Sequence, residues 1–160
     1  MPRLTAARLA ETLVDATPGS PGAEPYVLYE QAGHLLRRAH QRATVIFGEG
    51  IGELDLTPLQ FAALVAINER GAVGQNALGR ATAMDPATIL GVIRRLVAKG
   101  FVSCTKDPGD GRKRMCRLTP AGRRLIPRLL ARGDAITRAT LAPLSTDEQR
   151  KFLELLKRLV

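Results

Sequence analysis

At Thr57-Pro58, Asp85-Pro86 and Thr119-Pro120 a residue able to cap a helix stands directly before a proline at the head of a run with helical apolar spacing. The side-chain oxygen of Thr or Asp accepts bonds from the free N–H groups of a first helical turn, and a proline at the first helical position has no N–H to lose. Each pair therefore opens a helix, and Gln60 completes a capping box with Thr57. The first helix runs to about Arg70, where Gly71 and Gly74 make a turn, and the second ends at Gly100. In the second, Ile89, Val92, Ile93, Leu96 and Val97 fall at i, i+3, i+4, i+7 and i+8, an amphipathic stripe. Its other face carries Ala87, Leu90, Gly91, Arg94 and Ala98, a low-profile surface with a single long cation that can enter a groove closely.

The remaining segments fill in around these starts. Residues 26–47 repeat apolar side chains at helical spacing until the glycines at 48, 50 and 52, which are expected to stop that helix. A short helix over residues 75–82 is anchored by Leu78. Residues 101–105 and 114–118 are β-prone runs flanking KDPGDGRK, a turn-rich loop, so a β-hairpin with a basic tip is the simplest reading. The third cap-proline pair opens a long helix to about Thr140. Ser145 and Glu148 form a second capping box before a terminal helix with six large apolar residues in its last nine positions, more than one face can hold. Residues 5–15 could form a short helix, and residues 18–25 read as a Pro/Gly linker. The order helix, helix, short helix, helix, hairpin, long helix, terminal helix gives a mainly α chain with a small β-hairpin wing (α+β). That is the outline of a winged helix-turn-helix.

The charge agrees. The chain has 160 residues and a net charge of +9, enough for one compact domain. Residues 70–125 hold twelve Lys or Arg and three acids, so the whole excess lies in that third of the chain. Charge concentrated this way points to a polyanionic partner, and with this element order the partner is double-stranded DNA. A helix in the groove supplies shape and a few base contacts, while a wing supplies long cations for phosphate or the minor groove.

Other classes fall away. Two cysteines and two histidines show no zinc-ligand spacing, and His34 and His40, about 600° of helical rotation apart, do not share a metal. There is no phosphate-binding P-loop, nucleophile elbow or HExxH, so no enzyme and no cofactor is implied. No run of about 18 apolar residues or secretory leader occurs, which gives no membrane partner and a cytoplasmic address as expectations.

Three segments resemble the MarR family of transcriptional regulators: LTPLQFAAL at residues 56–64, ALGRATAMDPATILGVIRRLVAKGFV at 77–102, and DPGDGRKRMCRLTPAG at 107–122. The resemblance covers residues 26–160. It implies a homodimer joined by helices in 26–55 and 119–160, a winged helix-turn-helix over 56–118, and residues 1–25 as an arm and linker. It implies two winged domains reaching successive major grooves of a pseudopalindrome. Recognition-helix contacts would come from Asp85, Pro86, Ala87, Thr88, Leu90, Gly91, Arg94 and Arg95. Arg112 would be the wing's minor-groove arginine, oriented by Asp110 and accompanied by Lys113 and Arg114. Arg94 stands where family members often carry aspartate, and Lys113 replaces a frequent second arginine.

The resemblance also implies a small ligand, commonly an aromatic acid, where the dimer helices meet the winged domain. Tyr26, His34, Arg38, His40 and Arg42 are the candidates, since a guanidinium can hold a carboxylate and the surrounding aliphatic side chains a ring. The expected function is a repressor released from its operator by such an acid. A redox-responsive regulator using Cys104 and Cys116 is an alternative, because a symmetric hairpin puts the two cysteines opposite each other, six residues on either side of Asp110. A pair of small structural thiols is the simpler reading. A ligand-independent architectural DNA-binding module is the other alternative.

Overall fold

The computed structural model describes residues 26–106, 109 and 114–160. The expected arm helix and linker, and the wing positions Asp110, Arg112 and Lys113, lie outside them. The chain divides into two units, residues 1–37 and 38–160. In the first, a 3₁₀ turn at Leu28–Glu30 precedes the start of helix α1 (Ala32–Ile51), which ends in the second unit.

The second unit continues with α2 (Pro58–Arg70), strand β1 (Val73–Gly74), α3 (Gln75–Ala81), α4 (Pro86–Ala98), β2 (Val102–Lys106), β3 (Arg114–Leu118), α5 (Pro120–Leu141) and α6 (Thr146–Leu159). The cap-proline pairs act as expected. Thr57 Oγ1 accepts from Gln60 N at 3.2 Å while Gln60 Oε1 accepts from Thr57 N at 3.1 Å, and Thr119 Oγ1 accepts from Gly122 N at 3.0 Å. Ser145 and Glu148 form the second capping box.

Two expectations are corrected. Gly48 and Gly50 do not stop α1, which runs on to Ile51. A Cβ on Gly50 would lie 2.4 Å from Ile136 Cγ1, so that glycine lets α5 approach α1 closely. The hairpin is part of a three-stranded antiparallel sheet in the order β1-β3-β2, because Val73 and Gly74, expected as turn, pair with Cys116 and Met115.

One core lies beneath this sheet and helices α2 to α5. Leu64, Ile67, Leu78, Ile89, Leu96 and Leu129 are the largest of its fully buried side chains. The α4 stripe is buried at Ile89, Val92, Ile93 and Leu96, whereas Val97 is 44% exposed. Helix α6 buries no residue, and its Phe152, Leu153, Leu155 and Leu159 are all exposed. Among the described residues no single helix is long and apolar enough to cross a membrane.

Candidate nucleic-acid interface

Helix α4 is held at both ends. At its start Asp85 Oδ1 accepts from the backbone N–H groups of Ala87 and Thr88, both at 2.9 Å, while the Thr88 hydroxyl donates to Oδ2. The Thr88 hydroxyl and amide together hold the Asp85 carboxyl below its ordinary range. This commits Asp85 and Thr88 to capping. Both still sit at the exposed leading end of the helix, beside exposed Pro86 and Ala87.

At the other end Gly100 adopts φ +73°, and Phe101 N donates to Leu96 O at 3.0 Å. Lys99 Nζ reaches Asp55 Oδ2 at 2.6 Å and also donates to the Asp55 carbonyl. Its hydrogen bond and charge lower the Asp55 pKa. Asp55 itself sits at φ 46°, in the turn leading into α2. No local pattern in the sequence marks this tie across 44 residues.

Between these anchors the outward face is as the helical spacing requires. Arg94, Arg95 and Ala98 are exposed, Leu90 and Gly91 are half-buried, and a Cβ on Gly91 would meet no heavy atom of the described residues within 4 Å. One concavity borders it and a second lies between α3 and β3. The first, of about 250 Å³, is walled by Leu90, Ile93 and Val97 with Cys104 and Cys116, and Arg94 and Arg114 join its lining. The second, of about 580 Å³, brings Arg80 and Arg114 to its rim. Arg80 entered the sequence reading only through its charge; its place beside Arg114 in that concavity depends on how α3 packs on the sheet.

The wing strands pair in the symmetric register, Cys104 opposite Cys116. Their sulfurs are bonded as a disulfide, with Cα atoms 4.1 Å apart. The expectation of two structural thiols is corrected: directly opposed positions bring the Cβ atoms within bonding reach.

The ligand candidates are placed separately. Tyr26 is exposed, and Tyr29 meets His34 edge to face at 5.5 Å. His34 Nε2 is buried without a hydrogen-bond partner among the described residues. Arg38 and His40 are exposed. Arg42 donates to Thr140 O at 2.6 Å and to Ala139 O at 3.3 Å, occupying carbonyls at the end of α5.

A capped helix α4 with a low outer face bearing exposed Arg94 and Arg95, a short helix before it and a β-sheet wing after it in the chain define a winged helix-turn-helix protein of the transcriptional-regulator class. The MarR family model matches residues 56–113. The chain is 38% identical over 136 residues to the HTH-type transcriptional repressor NicR of Pseudomonas putida, covering 85% of this chain and 86% of that one. A probable transcriptional regulator from Pseudomonas aeruginosa is 48% identical with a TM-score of 0.81, over 84% of this chain and 100% of the other. Bordetella bronchiseptica BpsR, solved in a study of how 6-hydroxynicotinic acid regulates its DNA binding, is 40% identical with a TM-score of 0.81, over 85% and 97%. The chain belongs to the MarR family.

Proposed function

We propose that this regulator is a homodimeric repressor that grips a pseudopalindromic operator and releases it when a small aromatic acid binds. The observation that carries the DNA reading is the outward face of α4, with half-buried Leu90 and Gly91 and exposed Arg94 and Arg95, bordered by a concavity that Arg114 helps to line. Shallow side chains let the helix backbone approach base edges, and the arginines neutralise phosphates. For the wing, the family resemblance gives Arg112 the minor-groove role together with Asp110 and Lys113, positions that lie outside the described residues. The dimer reading draws on α6, whose apolar residues are exposed on a helix that buries none of them. A second copy supplies the missing surface.

The ligand reading draws on BpsR, whose DNA binding is regulated by 6-hydroxynicotinic acid. On this chain His34 Nε2, without a partner among the described residues, is the kind of group that a ligand's polar atom satisfies. Arg38 is the preferred carboxylate partner, because Arg42 is already bonded to α5. Release requires that the acid bind the DNA-incompetent state better. A hundredfold preference corresponds to about 2.7 kcal/mol, within the range of one charge-assisted bond plus ring burial.

The test is a thermal-shift and operator-release screen of hydroxynicotinates, benzoates, salicylates and hydroxycinnamates. One class should raise the melting temperature and displace the DNA. Arg38→Ala should lose that response and keep unliganded operator affinity within about twofold, as expected for an exposed residue outside the DNA face. No stabilisation and no release across the set would leave a ligand-independent regulator.

A further inference from the structure

We propose that the Cys104–Cys116 disulfide is a thiol–disulfide exchange site through which dithiol reductants weaken operator binding. The inference rests on the DNA reading of α4 and adds a second input to it.

Three observations converge. The bond joins β2 to β3 at directly opposed positions, with Cys116 on the central strand of the sheet and paired on its far side with Val73. The two cysteines wall the concavity whose other side is Ile93 and Val97 of α4, so the bond sits where wing and recognition helix meet. The two cysteines are also unequal: Cys116 is 2% exposed and Cys104 is half-buried at the open concavity.

The exchange follows from that asymmetry. A thiolate of the reductant attacks Cys104 Sγ, the sulfur of the less buried cysteine. The S–S bond breaks, and its electron pair leaves on Cys116 Sγ, which then takes a proton. Arg94 and Arg114, which line the same concavity, favour the departing thiolate. The reductant's second thiol then attacks its own sulfur in the mixed disulfide and frees Cys104 as a thiol. Two electrons and two protons pass to the protein, and the reductant leaves as its disulfide.

The bond closes a loop with a sequence separation of 12 that contains the wing. Opening it removes the covalent tie between β2 and β3 and returns conformational freedom to those strands, which DNA binding must then remove. The oxidised chain is therefore the tighter binder.

The experiment uses a duplex selected from a random-sequence pool with the oxidised chain. Affinity is read by fluorescence anisotropy before and after dithiothreitol, and free thiols are counted by alkylation and mass spectrometry. The expected result is no free thiol at the start, about a tenfold weaker Kd after reduction, and recovery on reoxidation. Cys104→Ala/Cys116→Ala should bind like the reduced chain and ignore dithiothreitol. Two free thiols in air-purified protein, equal affinity in the two states, or a double variant that still responds would overturn the proposal. A pool that yields no enriched sequence would instead remove the DNA reading, and the switch with it.

Discussion

Gly91→Glu is expected to abolish operator binding while leaving the fold intact. Glycine inside a helix costs about 1 kcal/mol relative to alanine, so helix energetics alone would favour a side chain here. Packing does not forbid one, since a Cβ on Gly91 meets no heavy atom of the described residues within 4 Å. The missing side chain serves the outer surface instead, where α4 presents Leu90 and Arg94 beside it. A glutamate adds bulk between helix and base edges and a negative charge among phosphates. Both act against binding, and a loss of at least a hundredfold, about 2.7 kcal/mol, is expected. Gly91→Ala separates the effects: its melting temperature should rise by roughly 2–4 °C for about 1 kcal/mol gained, with a far smaller loss of affinity. Anisotropy titration and thermal denaturation at matched protein concentration check both variants. Undiminished binding by Gly91→Glu would take α4 out of the groove.

Gly122→Ala should do the reverse of Gly91→Ala. Gly122 lies in the first turn of α5, and a Cβ there would stand 2.2 Å from the Phe101 carbonyl oxygen and 3.1 Å from the Phe101 carbonyl carbon. These are backbone atoms tied on both sides, since Phe101 N donates to Leu96 O at 3.0 Å and Phe101 O accepts from Thr119 N at 3.0 Å. The neighbour cannot swing aside as a flexible side chain would. The helix-propensity gain of about 1 kcal/mol is therefore outweighed by overpacking, and a net loss of about 2–3 kcal/mol is expected. That corresponds to a fall in melting temperature of roughly 4–12 °C for a domain of this size. Operator affinity should fall too, because the same contact sets how α4 leaves its C-terminal turn. A melting temperature equal to or above the parent's would contradict this packing.

The contrast between these glycines marks what could be read from the sequence. Helices α2, α4 and α5 begin at Pro58, Pro86 and Pro120, because a cap involves only atoms a few residues apart. The outward positions of α4 followed from the same local periodicity. Gly50 read as a stop and is a close-packing position, because what decides it is Ile136, far along the chain. β1 was missed because two residues carry no strand signal and their partners lie at Met115 and Cys116. Val97 belongs to the apolar stripe by spacing, yet faces the concavity beside the wing. The hairpin register placed Cys104 against Cys116, but spacing alone does not say whether opposed sulfurs are bonded. Arg42 looked like a free ligand cation, and only the position of the α5 C-terminus shows how it is used.

The central claim is that two copies of this chain read one DNA site through α4 and the wing. Hydroxyl-radical footprinting on the selected duplex, with the mass of the bound species determined in parallel, tests it most directly. Two protected half-sites centred about 10 base pairs apart, one helical turn, with one dimer per duplex, are the predicted result. Uniform protection without half-sites, or a monomer as the bound species, would contradict it.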